Sequence, residues 1–376
     1  MNWTLIEDSA ELSQVLAAHA PRQHVAVDTE FRRRDTFFPQ VALVQLCWGA
    51  EAYLIDPLKL QDLSALRSFL TAHKQLKVIH SASEDLEVFS HWLGVLPAPL
   101  FDTQRAAGLL GLGAGQSYRA LVAQFFDIDL PKDETQSDWL QRPLTAAQAE
   151  YAALDVTYLH PIGAQLLERA TSLHRLDWIL EDGARMRPGG KHPLSKFKSA
   201  YRLPATEQRT LAALVAWREK EARGRDKPRS WILSDKLIMA VVRAMPESIH
   251  ALSDVDDMPK GLIRRAGDEL LSCIQCASDE SQQCASDESQ PPLTEAILPP
   301  LSKSERGLLA RVSDHLSDIA ASLDVPPEIL MPKADLEQLI RQHEQPTSVT
   351  PEAWSGWRNT LVVEPLKQWL CNEGVV

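Results

Sequence analysis

His24-Val25-Ala26-Val27-Asp28-Thr29-Glu30-Phe31 decides the fold. The run is β-prone and partly alternating, so it reads as a strand. Residues two apart on a strand share a face, so Asp28 and Glu30 point the same way. Two carboxylates so close repel each other and resist burial. A strand that carries them usually binds cations. Oxygen ligands with no neighbouring His or Cys favour Mg²⁺ or Mn²⁺ over zinc. Taken alone, an Asp-x-Glu also fits a strand-end turn.

Working outward, Val41 to Trp48 and Ala52 to Asp56 follow at short spacing, which predicts an antiparallel three-strand meander. Gln61 to Ala72 has helical spacing in Leu63, Leu66, Phe69 and Leu70. Lys77 to His80 reads as a fourth strand. Ser81 to Trp92 reads as a helix, with Ser81 and Glu84 spaced as a capping box. That assigns Glu84 to the cap and leaves Asp85 in the first turn. Leu100 to Thr103 is short and extended before a helix from about Gln104. Gln116 to Phe126 reads as another helix. Thr145 to Ala170 reads as one long helix, opened by a Thr145/Gln148 capping box. This order predicts an α/β domain over 1–180 with a ribonuclease-H-like mixed sheet. Tyr151 and Asp155 lie four apart, on one helix face. A tyrosine there can orient a nucleophilic water or accept its proton.

Three acidic positions, in the order strand, helix start and late helix, match the motifs of the DEDD exonuclease superfamily in its Tyr-containing branch. Val27 to Phe31, His80 to Leu86, Phe101-Asp102-Thr103 and Tyr151 to Asp155 resemble the bacterial ribonuclease D family. Asp133 to Pro143, with Gln136-Ser137-Asp138-Trp139, is similar too. Beyond Pro204, Trp217-Arg218, Met245-Pro246 and Leu252 resemble a helicase-and-RNase-D C-terminal (HRDC) domain, a small helical nucleic-acid-binding module. The last stretch resembles a second, more diverged copy. The resemblance covers nearly the whole chain, except 275–292.

The resemblance implies a 3′→5′ exoribonuclease that hydrolyses RNA from a free 3′ end and releases 5′-mononucleotides. Two divalent ions, Mg²⁺ or Mn²⁺, would sit ~3.5–4 Å apart. Asp28 would bridge both. Glu30 and Asp155 would complete the site of the attacking water. Asp85 would serve the second ion, partly through water. Tyr151 would align the water. Thr29, Phe31, Gln45, His80 and Trp139 are candidate contacts to the terminal nucleotides, through stacking or hydrogen bonds. Asp102 reads as a helix cap. Transfer RNA precursors and small stable RNAs with a single-stranded 3′ end are the implied partners. A DNA exonuclease of the same superfamily and a non-catalytic RNA-binding protein are the alternatives.

The chain has 376 residues, enough for several domains at ~100–200 residues each. The expected division is an exonuclease domain over 1–180, a basic connector over 181–203 and an HRDC domain over 204–275. An acidic low-complexity linker over 276–294 and a second HRDC-like domain over 295–376 follow. Gln-Cys-Ala-Ser-Asp-Glu-Ser-Gln at 275–282 is repeated in full at 283–290. Such a polar duplication, followed by Pro291-Pro292, predicts disorder. The overall class is thus α/β plus all-α.

The net charge of −12 disguises its distribution. Residues 1–183 carry 14 Lys/Arg against 24 Asp/Glu, 184–233 carry 13 against 4, and 234–376 carry 12 against 23. The basic window, with Arg218, Lys220, Arg223, Arg225, Lys227 and Arg229, is a candidate phosphate strip; Arg32-Arg33-Arg34 is another. Both also fit a solvated surface. Five cysteines argue against a disulfide framework and fit a reducing compartment. Cys273, Cys276 and Cys284 lack a fourth ligand for a metal cluster. The acidic N-terminus does not fit a secretory signal, and no stretch spans a membrane, so the expectation is a cytoplasmic monomer.

Overall fold

The computed structural model describes residues 2–20, 23–130, 137–190, 192–278, 297–344 and 350–373. Two compact units divide the chain. The first spans Met1–Arg32, Pro39–Gly189 and Leu301–Val376; the second spans Arg33–Phe38 and Gly190–Pro300. The predicted linker lies, from 279 on, outside the described residues, as do Asp133 to Gln136. Among the described residues, no helix is long and apolar enough to cross a membrane.

In the first unit, β1 (Asn2–Ile6), β2 (His24–Arg32), β3 (Gln40–Cys47), β4 (Glu51–Ile55), β5 (Leu76–Ile79) and β6 (Leu100–Asp102) form one sheet in the order β1-β4-β3-β2-β5-β6. β2, β3 and β4 make the expected antiparallel meander. β1 joins β4, β5 joins β2 and β6 joins β5, all in parallel. The sequence pattern predicts neither β1 nor the helix after it, α1 (Ser9–His19). β1 has little apolar alternation of its own. It forms because β4 offers an edge of backbone donors and acceptors.

Alternation along β2 sorts the core. Ala26 packs on the face covered by α6 (Ala146–Thr157) and α7 (Leu159–Ser172). Val25 and Val27 pack on the other, with α1, α2 (Ser64–Leu70) and α3 (Ser83–Leu93). Asp28 and Glu30 continue the Ala26 side, and Thr29 continues the Val27 side.

Two helix expectations need correction. The helix over 145–170 breaks at Tyr158 into α6 and α7. Pro161 cannot donate a backbone bond, and its ring crowds the Thr157 carbonyl. The Thr145/Gln148 capping box does open α6. The Ser81/Glu84 box does not form: α3 begins after Ala82, which has no capping side chain of its own. Ser81 takes a left-handed φ of 57°, and Glu84 is exposed. Near the C-terminus, Pro332 separates two helices, Pro327–Leu330 and Lys333–Glu344.

The remaining helices of this unit are α4 (Thr103–Leu109), α5 (Tyr118–Phe126) and α8 (Leu176–Arg185), with Lys303–Leu323 and Glu364–Glu373 near the end. The C-terminal helices pack on one another, and their apolar cluster runs on into that of the exonuclease residues. Val312, Leu316, Leu339 and Val363 belong to one apolar cluster with Phe101, Val156 and Leu166.

The second unit is helical: α9 (Ala205–Arg225), α10 (Arg229–Ile232), α11 (Asp235–Ala244), α12 (Ile249–Ser253) and α13 (Lys260–Ser278). Leu211, Leu214 and Val215 of α9 pack with Ile238, Val241 and Leu270. Leu194, Phe197 and Phe37 complete that core.

Candidate active site

Asp28 and Glu30 of β2 meet Asp155 of α6: one carboxylate oxygen from each lies within 4.8 Å of the others. β2 and β3 slip register between Glu30 and Phe31, a bulge that ends the regular alternation beside the site. The three carboxylates face a cavity of about 570 Å³, with His80, Tyr118, Arg119 and Tyr151 on its walls. Tyr151 stands one turn before Asp155, as the spacing predicts.

Asp85 sits in the first turn of α3 and is buried, 6% exposed. It reaches the strand from the opposite face. Thr29 donates its hydroxyl to Asp85 Oδ1 at 2.6 Å. The period of two thus gives Asp28 and Glu30 to the cavity and Thr29 to the support of Asp85. Thr29 does not line the cavity.

Burial raises the affinity of all four carboxyls for protons. Asp28 is pushed well up by burial and then by Asp155. Glu30 is pushed well up by burial and then by Asp28, Asp155 and Asp85. Asp85 is raised by burial and then by Asp28, against the Thr29 hydrogen bond. Burial brings Asp155 to about 7. Arg119, the one Lys or Arg on the cavity wall among the described residues, donates to Asp129 at 2.5 Å. Burial lowers the pKa of His80. The acids therefore repel one another with little cationic relief from the lining. Clustered hard oxygens under this repulsion fit divalent metal ions.

Asp102 is a cap, as expected, and more than a cap. It accepts from Gln104 and Arg105 at the start of α4, at 2.9 and 3.2 Å. It also accepts from Ser81 and Ala82 at 3.3 and 2.9 Å. One buried carboxylate thus binds the left-handed turn that leads into α3, and so helps to place Asp85.

The other predicted contacts separate. His80 lines the cavity, and its Nδ1 lies 2.9 Å from Thr103 Oγ1. Phe31 is half-buried against the core. Gln45, opposite Asp28 in the ladder, is fully buried, and its amide has no hydrogen-bond partner. Trp139 is buried at 2% exposure, its ring 6.0 Å from that of Tyr151. Neither lines the cavity. Tyr118 is a site residue that sequence pattern misses. Its hydroxyl donates to the Leu154 carbonyl at 2.9 Å, on the turn that carries Asp155. Nothing local in Ser117-Tyr118-Arg119 signals that long-range bond.

A family model described as a 3′-5′ exonuclease matches residues 3–170, and an HRDC domain model matches 207–274. Ribonuclease D of Pseudomonas paraeruginosa is 37% identical, over 96% of each chain. Ribonuclease D of Xanthomonas oryzae is 38% identical, over 95% of each. The chain belongs to the ribonuclease D family. The solved Escherichia coli member, 31% identical, superposes with a TM-score of 0.83 over 99% of both chains. The catalytic core of RRP6 from Trypanosoma brucei, at 20% identity and a TM-score of 0.58, shares the fold. As a ribonuclease D family member, the chain is a 3′→5′ exoribonuclease. The family model recognises one HRDC domain, where the sequence pattern predicts two.

Proposed function

We propose that Asp28, Glu30, Asp85 and Asp155 hold two divalent ions, Mg²⁺ or Mn²⁺, and that Tyr151 aligns the attacking water. The observation that carries this reading is the meeting of Asp28, Glu30 and Asp155 within 4.8 Å, beside Tyr151. When bound, the ions offset the carboxylate repulsion and stabilise charge at the scissile phosphate. The chain's own residues position everything else. Asp28 and Glu30 bridge toward Asp155 across the cavity. Thr29 and Asp102 hold Asp85 in place. Tyr118 steadies the last turn before Asp155. Tyr151 presents its phenol on the same helix face as Asp155, where it can direct a water in line with the phosphodiester. His80, on the cavity wall, is the candidate contact to the terminal nucleotides nearest this chemistry; Thr29, Phe31, Gln45 and Trp139 stand outside the cavity lining.

The substrate is an RNA with a single-stranded 3′ end. The Escherichia coli relative is described as an exoribonuclease involved in structured RNA processing. By likeness, this chain trims transfer RNA precursors and small stable RNAs, as a cytoplasmic monomer. The domain division follows the sequence pattern, with 295–376 a second HRDC-like module. Its helices support this. Ala205–Arg225 and Lys303–Leu323 are both 21 residues long. Each ends on a left-handed aspartate, Asp226 or Asp324, before a Pro-led helix of 4 residues.

Incubation with a 3′-extended transfer RNA, with and without Mg²⁺, tests the whole reading. Stepwise shortening and mononucleotide release should require the metal. Asp28→Asn and Asp155→Asn should abolish release and retain RNA binding. Digestion at the parental rate by either variant would refute the site assignment.

A further inference from the structure

A second cavity, about 290 Å³ in volume, lies within the unit of Arg33–Phe38 and Gly190–Pro300. Its lining among the described residues is basic: Arg33, Arg34, Lys196, Arg218 and Arg229 against a single acid, Asp235. Thr36 and Ser230 add hydroxyls.

Arg218 is the buried part of that lining, at 1% exposure. Its Nη1 donates to the Leu233 carbonyl at 3.2 Å and to Asp235 at 2.5 Å. Its Nε is buried with no hydrogen-bond partner. An unpaired buried donor costs free energy that a ligand oxygen would restore. Arg229 is aimed by two contacts. Its Nε donates to Glu219 at 2.6 Å, and its guanidinium lies 4.5 Å from the Phe37 ring centre. Arg34 and Lys196 are exposed and make no ion pair or hydrogen bond among the described residues. Asp235 and Glu219 neutralise Arg218 and Arg229, so the charge of Arg34 and Lys196 is left over.

We propose that this cavity is a phosphate site for the RNA backbone, separate from the carboxylate cavity. The assignment rests on the exoribonuclease reading for its source of phosphate. Guanidinium forks fit phosphate oxygens, and a compact oxyanion fits the volume. Phe37 is buried, with Arg223 and Arg229 over its ring, so it offers no open face to a base. The pocket thus holds a strand by its backbone and does not read sequence.

The test uses the full chain and a single-stranded RNA with a hydrolysis-resistant backbone, titrated in EDTA at several salt concentrations. Arg34→Ala with Lys196→Ala removes charge from two side chains that hold no ion-pair or hydrogen-bond partner among the described residues. The double variant should bind about tenfold more weakly at low salt. Its plot of log affinity against log salt should flatten by about 0.7 for each RNA phosphate that the protein no longer neutralises. The exchange Arg34→Lys with Lys196→Arg should restore most of the affinity. A dinucleotide has one phosphodiester, which the carboxylate cavity takes, so both variants should cleave it at the parental rate. Inorganic phosphate and adenosine 5′-monophosphate, at constant ionic strength, should compete with RNA on the parent and not on the double variant. Parental affinity and slope in the double variant would overturn the proposal. So would free phosphate that raises the parent's melting temperature while RNA binding ignores the substitutions, since the pocket would then serve small phosphates. Failure of the exonuclease reading would show separately, as a parent that releases no mononucleotide with Mg²⁺.

Discussion

Asp182 and Arg358, 176 residues apart, form a buried two-point ion pair at 2.7 and 2.9 Å. Trp357 donates to the same carboxylate at 3.3 Å and stacks on Trp178, with ring centres 4.7 Å apart. Arg358 Nε also donates to the Leu330 carbonyl at 2.9 Å. The pair fastens α8 to the C-terminal helices. Beside it, a Cβ on Gly183 would collide with the Leu100 carbonyl oxygen, so α8 lies directly against β6.

Removing Asp182 leaves Arg358 as a buried charge without its carboxylate, and removing Arg358 leaves buried Asp182 with only the half-exposed Arg105 at 3.5 Å. Arg358→Met or Asp182→Asn should therefore destabilise the protein by about 3–5 kcal/mol. The apolar core is shared, so the exonuclease residues should melt together with the C-terminal helices. Urea unfolding followed at tryptophan and by loss of nuclease activity would check this. Asp182→Leu with Arg358→Met should recover part of the loss. A chain ending at residue 300 should be less stable than the full chain, not equally so.

Metal removal should make stability depend on pH in a defined direction. Asp155 has an ordinary value of 3.8, and burial raises it to about 7 in the folded chain. Between those values the folded state binds more protons than the unfolded state, so stability falls as pH rises. In EDTA the melting temperature should decline from about pH 4 to about pH 7 relative to the Asp155→Asn variant. Saturating Mg²⁺ should flatten the difference and release protons on binding. A metal-free profile that rises through this window would contradict the acidic cluster.

Lys77 gives a second pH signature. It is fully buried on β5 and donates to the Ala72 and Ala98 carbonyls at 2.6 and 2.8 Å. Burial lowers its value from 10.5 to about 8. From about pH 8 to 10.5 the unfolded state binds more protons, so this residue makes stability rise with pH. Lys77→Met should remove that upward component and take a donor from both carbonyls, of which Ala72's keeps the Gln75 amide. Thermal melts of parent and variant across pH 7–11 would show it.

Asp102 is a positioning residue. Asp102→Ala withdraws the acceptor from four backbone donors and frees the Ser81 turn. Displacement of Asp85 should lower kcat by up to about 100-fold, since misplacement near 1 Å has that effect. RNA affinity in EDTA should change little. Asp102→Asn keeps one acceptor oxygen and should rescue part of kcat. Equal loss of affinity and kcat would argue for general unfolding instead.

Much of this was legible in the linear chain. The parity of Asp28 and Glu30 on a β-prone run, and the four-residue step from Tyr151 to Asp155, follow from local geometry that every strand and helix obeys. The meander and the Thr145 cap follow from the same short-range rules, and the basic window follows from the order of charges alone. Other features required distant residues to meet. β1 exists only against β4. The start of α3 is capped by Asp102 rather than by its own Glu84, because a carboxylate 20 residues away reaches Ala82 first. Tyr118 reaches Leu154 across 36 residues, and the C-terminal helices, packed on one another, join their apolar cluster to that of the exonuclease residues. Local pattern sets which atoms a segment must satisfy; only the packed chain decides which partners satisfy them.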